Sequence, residues 1–370
     1  MDRSPTLRRW AAALFVILLL ILTAAGFAAV ILSRSYQQPF KGYDAVEQFV
    51  EIPPGARVAA MADRLVDAGI VRNRWSFRVA VWATDNGRRM QAGEYRFDQP
   101  MTVVDVVRKI ARGDVYLVPI TFPEGLTVAD MARIFAEHGF GSADSFVTAA
   151  QDPAPIAALD PDATDLEGYL FPATYAVARH TTADQLVKLM TGQFARAFPQ
   201  VLRDEAQARG LPVRDVVILA SLVEKETAKP GERPLVAAVY ENRRRIGMAL
   251  QCDPTVIYAL EREGLYDGNL TRENLMFDSP YNTYRHPGLP PGPIAAPGRA
   301  SLEAVVRPAE VPYLYFVSRN DGSHEFAATL AEHNRHVRQY QVEYFGKRER
   351  RKTENGKGRP DKRAPRKGQA

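Results

Sequence analysis

The run Leu219-Ala-Ser-Leu-Val-Glu-Lys-Glu-Thr227 sets two carboxylates, Glu224 and Glu226, at the end of a segment with almost no other polarity. Val213, Val216, Val217, Ile218, Leu219, Ala220, Leu222 and Val223 surround them at helical spacing. Burying a carboxylate costs several kcal/mol unless it is paired or kept neutral by a raised pKa. A carboxylic acid that stays protonated near neutral pH can protonate a poor leaving group. The alternative is a structural glutamate held by an arginine, for which Arg243, Arg244 and Arg245 are candidates. On a helical wheel Glu224 falls beside Val217 and Ala220 in the apolar centre. Glu226 falls beside Leu219 and Leu222, nearer the edge, where a group can meet substrate.

Three other segments could supply binding groups. Leu166-Glu167-Gly-Tyr-Leu-Phe-Pro-Ala-Thr-Tyr175 is dense in aromatics around one acid, a composition suited to stacking sugars and accepting their hydroxyls. The other account of Glu167 is a core strand with a capped turn. Gln251-Cys252-Asp253-Pro254-Thr255 and Tyr281-Asn282-Thr283-Tyr284 offer amides, hydroxyls and a carboxylate on loops, beside the stiff run Gly288 to Pro293. Asp253 also reads as a helix N-cap with Pro254 at the first helical position, and Asn282 as a turn stabiliser. Ser221 lacks a Gly-x-Ser-x-Gly frame and a nearby histidine, so serine hydrolysis is poorly supported. His333 and His336 stand three apart, but no HExxH spacing occurs and Cys252 is the single cysteine. No metal and no cofactor is expected.

The elements that must position these groups follow from the pattern along 370 residues, enough for two or three domains. Residues 10–32 form a 23-residue stretch without charge that spans roughly 35 Å as a helix. Arg3, Arg8 and Arg9 precede it, which places residues 1–9 in the cytoplasm and everything after Ser33 outside. Small residues at Ala24-Ala25 and Ala28-Ala29 would also suit a cleaved signal peptide, but the apolar region is long for one, so an uncleaved anchor is expected. Residues 33–43 read as a linker. Pro54-Gly-Ala-Arg-Val-Ala-Ala-Met-Ala62 then returns seventy residues later as Glu124-Gly-Leu-Thr-Val-Ala-Asp-Met-Ala132, with Gly69 and Gly139 closing the two copies. Each copy reads as strand, turn and amphipathic helix (strands at 49–52 and 116–122), with a weaker third match at 101–111 after a strand at 93–97. Residues 44–150 are therefore small α+β units. From Thr182 the pattern is helical: 183–198, 213–227, 231–246 and a helix opening at 253. A buried strand is expected at 312–318, strand character at Phe326 and a last helix at 327–345.

Charge is unevenly spread. The tail 347–370 carries eleven basic against three acidic residues, and the first 33 residues carry three against one. With +5 overall, residues 34–346 hold a net −5, which argues against a nucleic-acid partner. The tail is low in apolar residues and is expected to be disordered.

Glu167-Gly-Tyr-Leu-Phe-Pro, Ala220 to Thr227, Asn242-Arg-Arg-Arg-Ile-Gly-Met248, Leu250 to Tyr258, Tyr281 to Tyr284 and Gly288-Leu-Pro-Pro-Gly292 occur in this order. Together they resemble the endolytic lytic transglycosylases of the MltG (YceG-like) family, over about residues 50–345. The resemblance implies an α+β fold with an N-terminal transmembrane helix and a LysM-like subdomain within 44–150. It also implies a mainly helical, lysozyme-like catalytic domain with few strands over 151–346. It carries the role of catalytic acid to Glu226. Glu224, Gln251, Asp253, Asn282, Tyr284 and Glu167 become substrate-binding positions. Cys252 departs from the Ser or Thr usual there, and the tail is outside the family pattern. The implied reaction cleaves the MurNAc–GlcNAc bond of peptidoglycan without water and leaves 1,6-anhydro-MurNAc ends, limiting strand elongation. The expected setting is the inner membrane, single-pass, with the catalytic part periplasmic and peptidoglycan synthases as protein partners. The alternatives are a non-catalytic peptidoglycan-binding scaffold and a hydrolytic muramidase.

Overall fold

Several helices begin where a side chain is ready to cap them. Asn73, Thr102, Thr127, Ser142, Thr182 and Thr329 each accept the backbone N–H three residues on. Thr127, Thr182 and Thr329 form full capping boxes with Asp130, Gln185 and Glu332. The computed structural model describes residues 36–344, together with Trp10, residues 14–23, 26–27 and Val30. The elements are β1 (Gln48–Ile52), α1 (Val58–Asp67), α2 (Arg74–Ala83), β2 (Gly93–Phe97), α3 (Val103–Arg112), β3 (Val118–Thr121), α4 (Val128–Glu137), α5 (Ala143–Ala150) and β4 (Thr174–Val177). They continue with α6 (Ala183–Ala197), α7 (Gln200–Ala208), α8 (Val213–Glu226), α9 (Arg233–Arg245), α10 (Asp253–Arg262), α11 (Arg299–Val306), β5 (Tyr315–Ser318), β6 (His324–Ala327) and α12 (Leu330–Val337).

The chain divides into two compact units at Val118/Pro119. In the first, β1 and β2 pair antiparallel, with Val50 opposite Tyr95 and Gln48 opposite Phe97. Val50, Ile52, Tyr95 and Phe97 turn inward and meet Leu65 of α1, Phe77 of α2 and Val106, Val107 and Ile110 of α3. The chain enters this unit through residues 36–42, where Phe40 pairs through its backbone with Met101 and Gly42 donates to the Gly69 carbonyl.

The second unit is built around α8. Residues Val216 to Val223 are buried without a break, because α7, α9, α10 and α11 pack around the helix. Each fully buried Val, Leu or Ile contributes roughly 1.5–3 kcal/mol, so α8 is a rigid base for what it carries at its end. β3 pairs with β4, and β5 pairs antiparallel with β6, Phe316 opposite Phe326.

The chain is thus a mixed α+β protein, mainly helical with few strands. The second copy of the sequence repeat, α4 with its preceding strand, belongs to the second unit and joins the core that contains α8. α10 starts one residue earlier than its sequence suggests: Cys252 is the N-cap, Asp253 lies in the first turn, and no side chain caps the end. The strand expected at 312–318 is confined to Tyr315–Ser318, and all four of its residues are only half-buried. The last helix begins at Leu330, because Ala327 ends β6, and continues as a π-helical turn over Arg338–Glu343. Of the expected anchor, residues 10, 14–23, 26–27 and 30 are helical and exposed. The other positions in 10–32, together with 1–9 and the basic tail 347–370, lie outside the described residues. Among the described residues no helix is long and apolar enough to cross a membrane.

Candidate active site

Residues two apart on a helix point to different sides, and α8 uses this to give its two terminal carboxylates different surroundings. Glu224 is 5% exposed and pairs with Arg233 Nη2 at 2.9 Å. Its second oxygen accepts the Gly298 N–H at 2.9 Å and the Ser301 hydroxyl at 2.8 Å, closing the N-terminus of α11. A side chain at Gly298 would run into the Glu124 carboxylate, which lies 3.5 Å from the same Arg233. Arg233 reaches Glu224 because the 3-10 turn Pro230–Glu232 reverses the chain directly after α8. The three arginines that the sequence offers as partners are committed elsewhere. Arg243 donates to the Leu250 and Leu314 carbonyls, Arg244 to Asp215, and Arg245 to the Asn242 side chain.

Glu226 has no ion-pair partner among the described residues. Its Oε2 accepts the Tyr240 hydroxyl at 3.2 Å and faces the Cys252 thiol at 3.6 Å. The side chain is half-buried. Burial pushes its carboxyl above the usual range and the Asp253 charge adds to this, while the Tyr240 hydroxyl, His324 and the Cys252 thiol pull it back. Tyr240 and Cys252 are themselves pushed well up, first by burial, so both remain neutral donors.

Two loops are knitted together beside this acid. Cys252 N–H donates to Thr283 Oγ1 at 2.9 Å, Gln251 N–H donates to the Thr283 carbonyl at 3.2 Å, and the Thr255 and Thr283 hydroxyls meet at 3.0 Å. Asp253 accepts the Tyr284 hydroxyl, and burial followed by that bond pushes the Tyr284 phenol up. Gln251 is exposed at φ +48°, a left-handed conformation imposed by the same pairing. Asn282 faces inward: its amide donates to Leu275 and Phe277 carbonyls and its oxygen accepts the Tyr284 N–H. It therefore shapes the loop that presents Tyr284. On the other side, Glu232 accepts the Thr227 hydroxyl, the His324 N–H and the His324 ring at 2.7 Å. Burial pushes the Glu232 carboxyl up, but the His324 and Thr227 hydrogen bonds outweigh it and hold the group below its usual value.

Glu167 stands in different surroundings. Both its oxygens accept the Val128 N–H at 3.2 Å and one accepts the Tyr258 hydroxyl at 3.3 Å. It lines a cavity of about 440 Å³ with Thr127, Arg133, Asp165, Glu261 and Arg262, none of which touches Glu226. Gly168 allows this placement. Its φ is +81°, and a Cβ there would lie 2.5 Å from Pro293 and 2.9 Å from Val217. Burial raises the Glu167 pKa from 4.5 to about 8; the Val128 N–H opposes the rise and Asp165 adds to it. The folded protein holds this proton up to about pH 8, whereas the unfolded chain releases it near 4.5. The associated stability is fully present below the unfolded value and is lost as pH rises through the folded one. Glu167→Gln keeps an acceptor for both donors and removes the titration. Denaturant unfolding between about pH 5 and about pH 9 should show the parent losing a few kcal/mol relative to the variant. Parallel pH profiles for the two would contradict the assignment.

Of the residues singled out from sequence, Glu226, Asp253, Tyr284 and Gln251 gather at one place. Glu224 is held by Arg233, Asn282 underlies the loop, and Glu167 faces the second cavity. Tyr240, Glu232 and His324 carry no local signal in sequence: Tyr240 lies fourteen residues beyond Glu226 on the next helix, and His324 comes from β6.

The geometry defines a mixed α+β protein in which a rigid apolar helix presents a protonatable acid, without an ion-pair partner among the described residues, beside two joined polar loops. The YceG-like family model matches residues 50–339, and the chain belongs to that family. A relative from Bacillus subtilis named endolytic murein transglycosylase is 30% identical over 328 residues, covering 84% of this chain and 90% of its own length. A Streptococcus pneumoniae protein of the same name is 28% identical over 357 residues; the match spans 88% of this chain and 64% of that longer protein. The crystal structure of a yceG-like protein from Listeria monocytogenes is 31% identical, with a TM-score of 0.53, over 78% of this chain and 98% of that one.

Proposed function

We propose that the chain is an endolytic lytic transglycosylase of peptidoglycan, with Glu226 as its single acid and base. The observation that carries this is the contrast at the end of α8: Glu224 is locked by Arg233, while Glu226 has hydrogen-bond donors, a raised pKa and no ion-pair partner among the described residues. Protonated Glu226 donates to the oxygen bridging MurNAc C1 to the next GlcNAc, and the C1–O bond breaks with its electrons on the leaving oxygen. The MurNAc C6 hydroxyl forms the new bond to C1, and its proton returns to the Glu226 carboxylate. A second carboxylate is unnecessary because the nucleophile is on the same sugar, which also removes much of the entropic barrier. Tyr240 and Cys252 orient the acid. Gln251, Asp253 and Tyr284 bind the sugar at the loop edge, and Glu167 binds it further along.

The same proposal includes a LysM-like subdomain within residues 44–150, supported by the strand–helix–helix–strand order of β1, α1, α2 and β2, which share one core with α3. It also includes a single-pass anchor at 10–32, a periplasmic catalytic unit and peptidoglycan synthases as neighbours. A hydrolytic muramidase is the second reading, because Asp253 is close enough for its charge to act on Glu226. Mass analysis of products from purified glycan strands separates the two. Anhydro ends support the transglycosylase, reducing ends support the muramidase, and unchanged strands remove both.

The pH dependence has a definite sign. Glu226 must start protonated, so kcat/KM falls as pH rises through its elevated pKa. Cys252→Ser supplies a better donor to the charged carboxylate, which favours ionisation and moves the fall to lower pH. Rate profiles of the two proteins check this; a shift to higher pH would contradict the placement of Cys252.

A further inference from the structure

We propose, on the footing that residues 10–32 anchor the chain in a bilayer, that the outer face of α2 docks on anionic phospholipid. The chain has three tryptophans, and two of them stand on this ten-residue helix, exposed at 61% (Trp75) and 83% (Trp82). With the exposed Val79 they form one stripe at spacings of four and three. The opposite side of α2, Phe77, Ala80 and Val81, fills the core of the first unit, so the stripe is not a misplaced core face. Large exposed indoles flanked by cations mark helices that lie in a membrane interface.

The charge agrees. Residues 72–89 hold Arg72, Arg74, Arg78, Arg88 and Arg89, all exposed, against Asp85 alone, a net +4 within a body that is net acidic. Arg78 lies 5.0 Å over the Trp75 ring, and Arg74 lies 3.5 Å from Asp63 in a pair exposed on both sides. A sugar platform would surround the rings with neutral donors and acceptors. Here the neighbours are guanidinium groups on a convex helix, which match phosphate headgroups.

The tether agrees as well. The Arg72 guanidinium stacks 4.5 Å over Phe40, which is where the chain enters this unit, and α2 begins two residues after Arg72. Only residues 33–39 separate the apolar segment from Phe40, a reach of at most about 28 Å. The first turn of α2 is therefore held close to any bilayer that contains residues 10–32. Docking would keep the first unit against the lipid.

The test uses the full chain with Trp10→Phe, so that Trp75 and Trp82 are the only tryptophans. The protein is reconstituted in vesicles of phosphatidylglycerol and phosphatidylcholine with brominated acyl chains. The expected result is co-flotation, a blue-shifted emission and quenching of about half of it. The quenching falls severalfold in phosphatidylcholine alone, in ~1 M salt, and in Arg78→Glu/Arg88→Glu, which in detergent unfolds at the same temperature as the parent. Flotation with unquenched emission overturns the docking and leaves the anchor standing. Failure to float overturns both. Emission that shifts with purified glycan strands but not with lipid overturns the docking in favour of a sugar platform.

Discussion

Replacing Glu226 with glutamine lowers kcat/KM on glycan strands by about a thousandfold or more and leaves the protein as stable as before, or more so. The loss is large because one group serves twice, first as acid and then as base, and the nearby Asp253 carboxylate is bonded to the Tyr284 hydroxyl. Glutamine keeps an oxygen for the Tyr240 hydroxyl and the Cys252 thiol, so the local geometry survives. The stability sign follows from the raised carboxyl. The folded protein holds the Glu226 proton at a pH where the unfolded chain has released it, so stability falls as pH rises through the folded value. Glutamine does not titrate, and the fall disappears. Product analysis and thermal unfolding across pH check the two halves separately. Wild-type turnover by Glu226→Gln would remove it from the chemistry.

Glu224→Gln has the opposite profile. It leaves the buried Arg233 with only the longer 3.5 Å pairing to the half-exposed Glu124, and one amide oxygen cannot serve Arg233, Gly298 and Ser301 as two carboxylate oxygens do. Breaking a buried ion pair from one side costs about 3–5 kcal/mol. In a domain of this size that lowers Tm by on the order of 10 °C. The molecules that remain folded retain most of their turnover, because the acid on the other side of α8 is untouched. Glu224→Met with Arg233→Met restores much of the stability, since removing both charges leaves neither unpaired. A Glu224→Gln protein that melts like the parent yet fails to cleave would reverse the roles of the two glutamates.

The elements that could be read along the chain are those with local causes. Thr127, Thr182 and Thr329 announce helix starts through their own capping bonds, and the apolar run of α8 has no other use than burial. α2 was not legible. Trp75, Val79 and Trp82 lie on its exposed face, so its apolar residues do not form a single stripe. The ordered motifs were enough to indicate the family, which the match over residues 50–339 bears out.

The sequence by itself placed Glu224 and Glu226 on different sides of one helix, because a helix turns by about 100° per residue. It did not decide which of them keeps its proton. That depends on groups brought in from elsewhere: Arg233 by a turn, Tyr240 by the next helix, Cys252 and Asp253 by a loop held through Thr283. A carboxyl's pKa is set by burial and by charges within a few ångströms, whatever their distance along the chain. The ionisation states of two glutamates separated by one lysine were therefore settled only when the chain folded.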